Sequence, residues 1–242
     1  MDTHDNTRDD PFENLKKFDP ALFSGTGQKT PRGRETRTGQ TRISGPFLPG
    51  HAPWDWLVAA DELGGSALRL ALVIYRKAVI SRSSELTARV GLNDGEMFGM
   101  SSWGIREALN RLEDSGLVHV TRSPGRKAVV RIVLAGTTES DSQHRRFIRN
   151  PIPWGWLEKA ARCTTPGLLV GLSVWRSLYM SRTGDTAKIR IDHIEGSTRK
   201  AKELRRGLRA LETAGLVQIV EISAGLAHVR IQNRATSPEE GQ

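Results

Sequence analysis

Two stretches of this chain repeat one another 100 positions apart, and that duplication limits the possible folds more than any other feature. Pro53-Trp54-Asp55-Trp56-Leu57 returns as Pro153-Trp154-Gly155-Trp156-Leu157. At the same offset Ala60, Leu68, Leu72, Arg76, Ser81 and Arg82 match Ala160, Leu168, Leu172, Arg176, Ser181 and Arg182, and Tyr75 stands opposite Trp175. One residue is then lost. At an offset of 99, Arg106, Leu109, Leu112, Glu113, Gly116, Leu117 and Val118 match Arg205, Leu208, Leu211, Glu212, Gly215, Leu216 and Val217. The register runs on to Val130-Arg131-Ile132 against Val229-Arg230-Ile231. Matched positions are mostly apolar or turn-forming, as expected of two copies that share a core and differ on their surfaces. The expected organisation is a disordered arm at 1–45, domain A at 46–135, a linker at 136–144, domain B at 145–232 and a polar tail at 233–242.

In copy A, Pro53 can open a short helix carrying Trp54, Leu57, Val58 and Leu63, broken by Gly64-Gly65-Ser66. Ser66 is expected to cap a second helix through about Ser81, apolar on most sides and therefore central. Residues 85–90 read as a strand, and Asn93 or Asp94 as the cap of a short helix through Met97 and Phe98. Ser101 caps the next helix, in which Ile105, Ala108, Leu109 and Leu112 recur at helical spacing until Gly116 ends it. A strand at 117–122, a turn at 123–127 and a return strand at 128–134 complete the copy. Copy B repeats the order, with hairpin strands at 216–222 and 227–231 around Ser223-Ala224-Gly225. The expected fold class is mostly α with small β-hairpins (α+β). Trp54 and Trp56, like Trp154 and Trp156, stand two apart at a helix start, so the members of a pair cannot both face one core. Core packing and a contact between domains or dimer partners are both open to them.

A short helix, a tight turn, a longer capped helix and a hairpin follow one another in both copies. The long helix reads Ile105-Arg106-Glu107-Ala108-Leu109-Asn110-Arg111-Leu112-Glu113-Asp114-Ser115-Gly116-Leu117-Val118, and its copy Leu204-Arg205-Arg206-Gly207-Leu208-Arg209-Ala210-Leu211-Glu212-Thr213-Ala214-Gly215-Leu216-Val217. At these residues the chain resembles bacterial winged helix-turn-helix DNA-binding proteins. The resemblance covers about residues 46–134 and 145–232. It implies two tandem winged-helix domains, each with a third helix that enters the major groove and a hairpin wing that reaches a phosphate or the minor groove.

Charge agrees with such a partner. The 242 residues hold 36 Lys+Arg against 27 Asp+Glu, a formal +9, which favours polyanions. In copy B, residues 198–209 carry Arg199, Lys200, Lys202, Arg205, Arg206 and Arg209 against the single acid Glu203. Leu204, Leu208 and Leu211 must face the core, so Arg199, Lys202, Arg206 and Arg209 are expected along the opposite face. There they suit phosphates and guanine edges, to which Arg binds in a bidentate way. The third helix of copy A exposes Ser101, Ser102, Trp103, Arg106, Asn110 and Arg111 and is less basic. Its hairpin carries Arg122, Arg126 and Lys127, where copy B has Gly225 and Leu226 opposite the last two. Helix B is thus expected to suit groove insertion and wing A phosphate contact. For Trp103, base or sugar contact and packing on a partner are equally open.

Other functions are excluded or disfavoured by residue type. One cysteine, Cys163, rules out an internal disulfide and a multi-cysteine zinc site, and the six histidines show no metal-ligand spacing. No catalytic residue, metal or cofactor is expected. Gly25-Thr26-Gly27-Gln28-Lys29-Thr30 lacks the four-residue gap and the Gly-Lys step of a phosphate loop. No apolar run approaches the ~18 residues of a membrane span, and the acidic first ten residues are not expected to act as a secretory signal. The expected setting is the cytoplasm, at the nucleoid, without a membrane partner. The arm changes from net −3 over residues 1–28 to net +4 over 29–45, suiting a flexible segment that lies along phosphates. Its Phe12, Leu15, Phe18, Leu22 and Phe23 could form a short turn that docks on a partner.

The expected function is sequence-specific binding of double-stranded DNA by a transcriptional regulator. The alternatives are a plasmid or phage replication initiator that binds origin repeats, and a protein-interaction adaptor that binds no DNA. A homodimer or a protein partner would be reached through the arm or domain A.

Overall fold

Each half of the chain lays down the same order of elements in the computed structural model, which describes residues 46–81, 85–134, 147–149, 151–180 and 186–232. Half A comprises β1 (Phe47–Leu48), β2 (Ala52–Pro53), α1 (Trp54–Glu62), α2 (Gly65–Ile80), β3 (Thr87–Val90), α3 (Ser102–Asp114), β4 (Val118–Thr121) and β5 (Ala128–Ile132). Half B comprises β6 (Phe147–Ile148), β7 (Ile152–Pro153), α4 (Trp154–Cys163), α5 (Thr165–Met180), β8 (Thr186–Arg190), α6 (Ala201–Thr213), β9 (Val217–Ser223) and β10 (Leu226–Ile231). The fold is mixed α/β, with small antiparallel sheets. In each half the return strand of the hairpin lies in the middle, in the orders β3-β5-β4 and β8-β10-β9. The arm, the linker and the tail lie outside the described residues, as do Arg82, Ser181 and Arg182 of the repeat.

Local chemistry explains most of these elements. Nine residues of α2 are buried, from Ala67 to Ala78, so the helix runs through the centre of its half. In α3 the buried set is Ile105, Ala108, Leu109 and Leu112, one stripe of an amphipathic helix. Ser101 caps it, its hydroxyl accepting from the Gly104 amide at 3.1 Å. At the tip of hairpin B, Ala224 and Gly225 have φ of 46° and 81°, the twist that a two-residue turn between antiparallel strands needs.

Several expectations about element ends need correction; the hairpin strands expected at 117–122, 128–134, 216–222 and 227–231 run Val118–Thr121, Ala128–Ile132, Val217–Ser223 and Leu226–Ile231. Ser66 does not cap α2. Gly64, at φ 112°, makes the turn that a side chain would resist, and the helix has already begun at Gly65. Asp94 caps no helix, because its carboxylate accepts from the Gly91 amide and pairs with Lys77 at 2.5 Å. Only a 3₁₀ turn, Glu96–Phe98, follows, and half B crosses the same region without a helix. The strand expected from residue 85 begins at Thr87, since Leu86 takes φ 50°, outside the strand region.

The halves are joined by contacts that occur twice with their roles exchanged. β1 pairs antiparallel with β7, Phe47 opposite Pro153 and Leu48 opposite Ile152. β2 pairs in the same way with β6, Ala52 opposite Ile148 and Pro53 opposite Phe147. In the repeat β1 corresponds to β6 and β2 to β7, so this is one contact made twice, the pattern of an isologous two-fold interface. The tryptophans divide accordingly. Trp56 and Trp156 stay in their own halves, donating to the Leu117 and Leu216 carbonyls at 3.0 and 3.2 Å. Trp54 reaches across to the Glu195 carbonyl at 3.1 Å, and Trp154 to Met97 Sδ. The Arg76 guanidinium lies 4.6 Å from the Trp154 ring centroid and that of Arg176 lies 4.8 Å from Trp54. A Cβ on Gly65 would overlap the side chain of Thr165, its own counterpart in the repeat, so the pseudo-axis passes between these two residues.

Candidate nucleic-acid interface

The charged face of α6 follows from its buried one. Leu204, Leu208 and Leu211 are fully or almost fully buried. Gly207 lies in the same stripe where the helix crosses α5, and a Cβ there would come within 2.7 Å of the Pro166 carbonyl carbon. With that side fixed inward, Lys202, Arg205, Arg206 and Arg209 are held in solvent, and all four are exposed. None of them forms an ion pair among the described residues. The two acids of the helix are engaged with backbone. Glu203 accepts from the Lys200 amide at 3.1 Å and Glu212 from the Ile219 amide at 3.1 Å. Lys200 occupies the position before the helix with its side chain exposed.

Arg199 departs from the expectation. The chain reaches α6 through an irregular stretch and the helix starts at Ala201, so Arg199 is not on its outward face. It turns to half A instead, its Nε 2.8 Å and Nη2 3.1 Å from the two carboxylate oxygens of Asp61 at the end of α1. The Asp61 side chain is 0% exposed, and a carboxylate left there without a partner would cost several kcal/mol, which is the physical reason for the inward turn. Burial pushes the Asp61 carboxyl above its ordinary range against the pull of Arg199. The bond to Asp61 holds the Arg199 guanidinium higher still. Next door, Glu62 accepts from the Thr198 amide at 2.9 Å and from the Thr198 hydroxyl. Burial raises that carboxyl, but the Thr198 bonds and Arg199 outweigh it and leave Glu62 below its usual range.

Half A presents a different surface. The Ser101 hydroxyl is committed to its cap, while Ser102, Trp103, Arg106 and Asn110 are exposed, Trp103 to 70%. Arg111 pairs with Glu107 and donates to the Leu63 carbonyl at 3.2 Å. Arg122, expected to offer its charge outward, pairs with Glu113 at 2.6 Å and donates to Asn110 Oδ1 at 2.9 Å, which ties the hairpin to α3. Arg126 and Lys127 at the tip are exposed. Between α3, the hairpin and residues 91–94 lies a groove of about 550 Å³ that brings together Arg106, Asn110, Arg122, Arg126 and Lys127. The matching cleft of half B holds about 210 Å³ and is lined by Arg205 and Arg209 with Ile191, Leu208, Ile219 and Ile222.

The structure thus brings the expected residues, Arg199 excepted, into two surfaces, one on each half. Sequence reasoning missed the Asp61–Arg199 pair and the Arg–Trp stacks of the interface. The tryptophan repeat signalled the second. Nothing signalled the first, because Ala161 stands where Asp61 does in the other copy. Reasoning also missed the apolar edge of hairpin B, where Val220 and Ile222 are each about half exposed. Cys163 donates to the Lys159 carbonyl at 3.2 Å, and burial pushes its thiol up, away from the reactive thiolate. Among the described residues no group of three His, Cys, Asp or Glu could hold a metal ion, and no helix is long and apolar enough to cross a membrane. No protein-family model, curated protein or solved structure matches the chain.

Proposed function

We propose that this chain is a sequence-specific double-stranded DNA-binding protein, made of two winged-helix halves joined as an intramolecular pseudo-dimer, and that it acts as a transcriptional regulator. One observation carries the reading. The outward face of α6 presents Lys202, Arg205, Arg206 and Arg209 with no acid paired to any of them among the described residues. A merely solvated helix usually interleaves both signs, as α3 does with Glu107 beside Arg111. Cations on one face of a third helix suit phosphates, where each contact releases counterions, and guanine edges. The groove of half A adds Arg106, Arg126 and Lys127 around Asn110. Two covalently joined readers act together without separate dimerisation, because each raises the effective concentration of the other at the duplex.

The test is a titration of the full chain against labelled duplex, followed by anisotropy. Alanine at Lys202, Arg206 and Arg209 together is expected to weaken binding about a hundredfold or more, at roughly 1 kcal/mol for each charged interaction removed, with the circular dichroism spectrum unchanged. Unchanged affinity would favour a protein-interaction adaptor. The divergence of α3 from α6 also fits a replication initiator in which one half pairs and the other binds origin repeats. Footprints clustered on origin repeats, rather than overlapping promoters, would decide for it.

A further inference from the structure

If the chain binds DNA as proposed, the way its halves are joined fixes how the bases read by one molecule are arranged. The strand pairings and the Arg–Trp stacks both come as exchanged pairs: β1 on β7 with β2 on β6, and Arg76 on Trp154 with Arg176 on Trp54. Exchange of this kind follows from a two-fold rotation. A translation, as in tandem domains laid head to tail, would join two different surfaces and leave one of each unpaired. The overlap of a Gly65 Cβ with Thr165 locates the axis at the α1–α2 and α4–α5 junctions. Both third helices are anchored to those junctions. Arg111 of α3 bonds the Leu63 carbonyl, and Gly207 of α6 packs against Pro166 and Gly167. α3 and α6 therefore flank the axis at the same end, one rotated by half a turn relative to the other.

We infer that a single molecule reads one duplex in inverted orientation, half A along one strand and half B along the other, about a shared dyad. A protein two-fold is mirrored in the symmetry of its DNA site. The site itself is disguised, because the outward residues have diverged. At equivalent positions Ser102, Trp103, Glu107 and Asn110 stand against Ala201, Lys202, Arg206 and Arg209, with only Arg106 and Arg205 in common. The two half-sites differ in sequence although the geometry that reads them is inverted.

Selection from a random-sequence duplex pool tests this with the full chain and two grafted variants. The first, K200S/A201S/K202W/R206E/R209N, places the outward residues of α3 on α6. The second, S102A/W103K/E107R/N110R, makes the reverse exchange within α3 and keeps the Ser101 cap. The unaltered chain is expected to enrich an asymmetric two-part site. Each variant is expected to enrich a true palindrome, built from one half of that site, with centres about 10 base pairs apart. Direct repeats from either variant would overturn the inverted arrangement and leave DNA binding intact. So would failure of both variants to enrich a two-part site that the unaltered chain enriches. No enrichment by the unaltered chain would overturn the DNA-binding reading as well.

Discussion

Arg111 and Arg122 of half A lie beside Glu107 and Glu113, whereas Lys202, Arg205, Arg206 and Arg209 of half B have no paired acid among the described residues. Half B turns one further cation, Arg199, toward half A. The repeat places Met100 opposite Arg199 and Ala161 opposite Asp61, so this ion pair has no mate. The buried positions stayed alike, Leu109 with Leu208, Leu112 with Leu211, and Trp56 with Trp156, while on the outward faces of the third helices only Arg106 and Arg205 match. A duplicated core fixes where the third helices stand and leaves their outward faces free to diverge. It also lets one charged contact lock the halves on one side only.

The symmetric part of the interface should give the largest effects. Trp54→Ala and Trp154→Ala each remove a fully buried indole and the stack it makes with Arg176 or Arg76, and each is expected to cost about 3–5 kcal/mol by urea unfolding. Similar losses support exchanged contacts of equal weight. One large loss beside one near zero would break the symmetry.

The unmated ion pair comes next. Arg199→Ala strands the buried Asp61 carboxylate and is expected to cost about 3 kcal/mol, mostly recovered in D61L/R199M, where no charge is left buried. Its pH dependence has a definite sign. The folded Asp61 pKa lies above its ordinary 3.8, so the folded state holds the proton more tightly. Stability from this group is present at low pH and lost as pH rises from 3.8 through the folded value. Arg199→Ala should steepen that loss, read from unfolding midpoints across pH. Glu62 acts oppositely in the unaltered chain. With its folded pKa below the ordinary 4.5, its contribution is present above 4.5 and lost as pH falls through the folded value.

A smaller effect is expected on the axis. Gly65→Thr places a second branched side chain against Thr165 and should cost about 1–3 kcal/mol. Adding Thr165→Gly exchanges the two residues across the axis and should restore most of the loss. No rescue would mean that these residues do not meet as counterparts.

These contrasts also mark how far the sequence alone reaches. The leucine stripe of α6, the Ser101 cap and both hairpins were legible because they depend on neighbours within a few residues. The start of α6 was not. Arg199 follows the same helical spacing as Lys202 and Arg206, yet its direction is set by a carboxylate 138 positions away. Ser66 misled for a related reason, since Gly64 took over the turn and left the hydroxyl without a capping role. Of the candidate site, the cationic face of α6 was legible from periodicity. The pairing of Arg122 with Glu113 was not, because it requires the hairpin to fold back onto α3.

The salt dependence of duplex affinity for Arg209→Ala and Arg199→Ala tests the division of labour within half B most directly. The slope of log K against log salt should flatten by about 0.9 for Arg209→Ala, because one phosphate is no longer neutralised, and stay unchanged for Arg199→Ala at a temperature where that variant is folded. An unchanged slope for Arg209→Ala, or an equal flattening for Arg199→Ala, would contradict an account in which the outward cations of α6 meet the duplex and Arg199 holds the halves together.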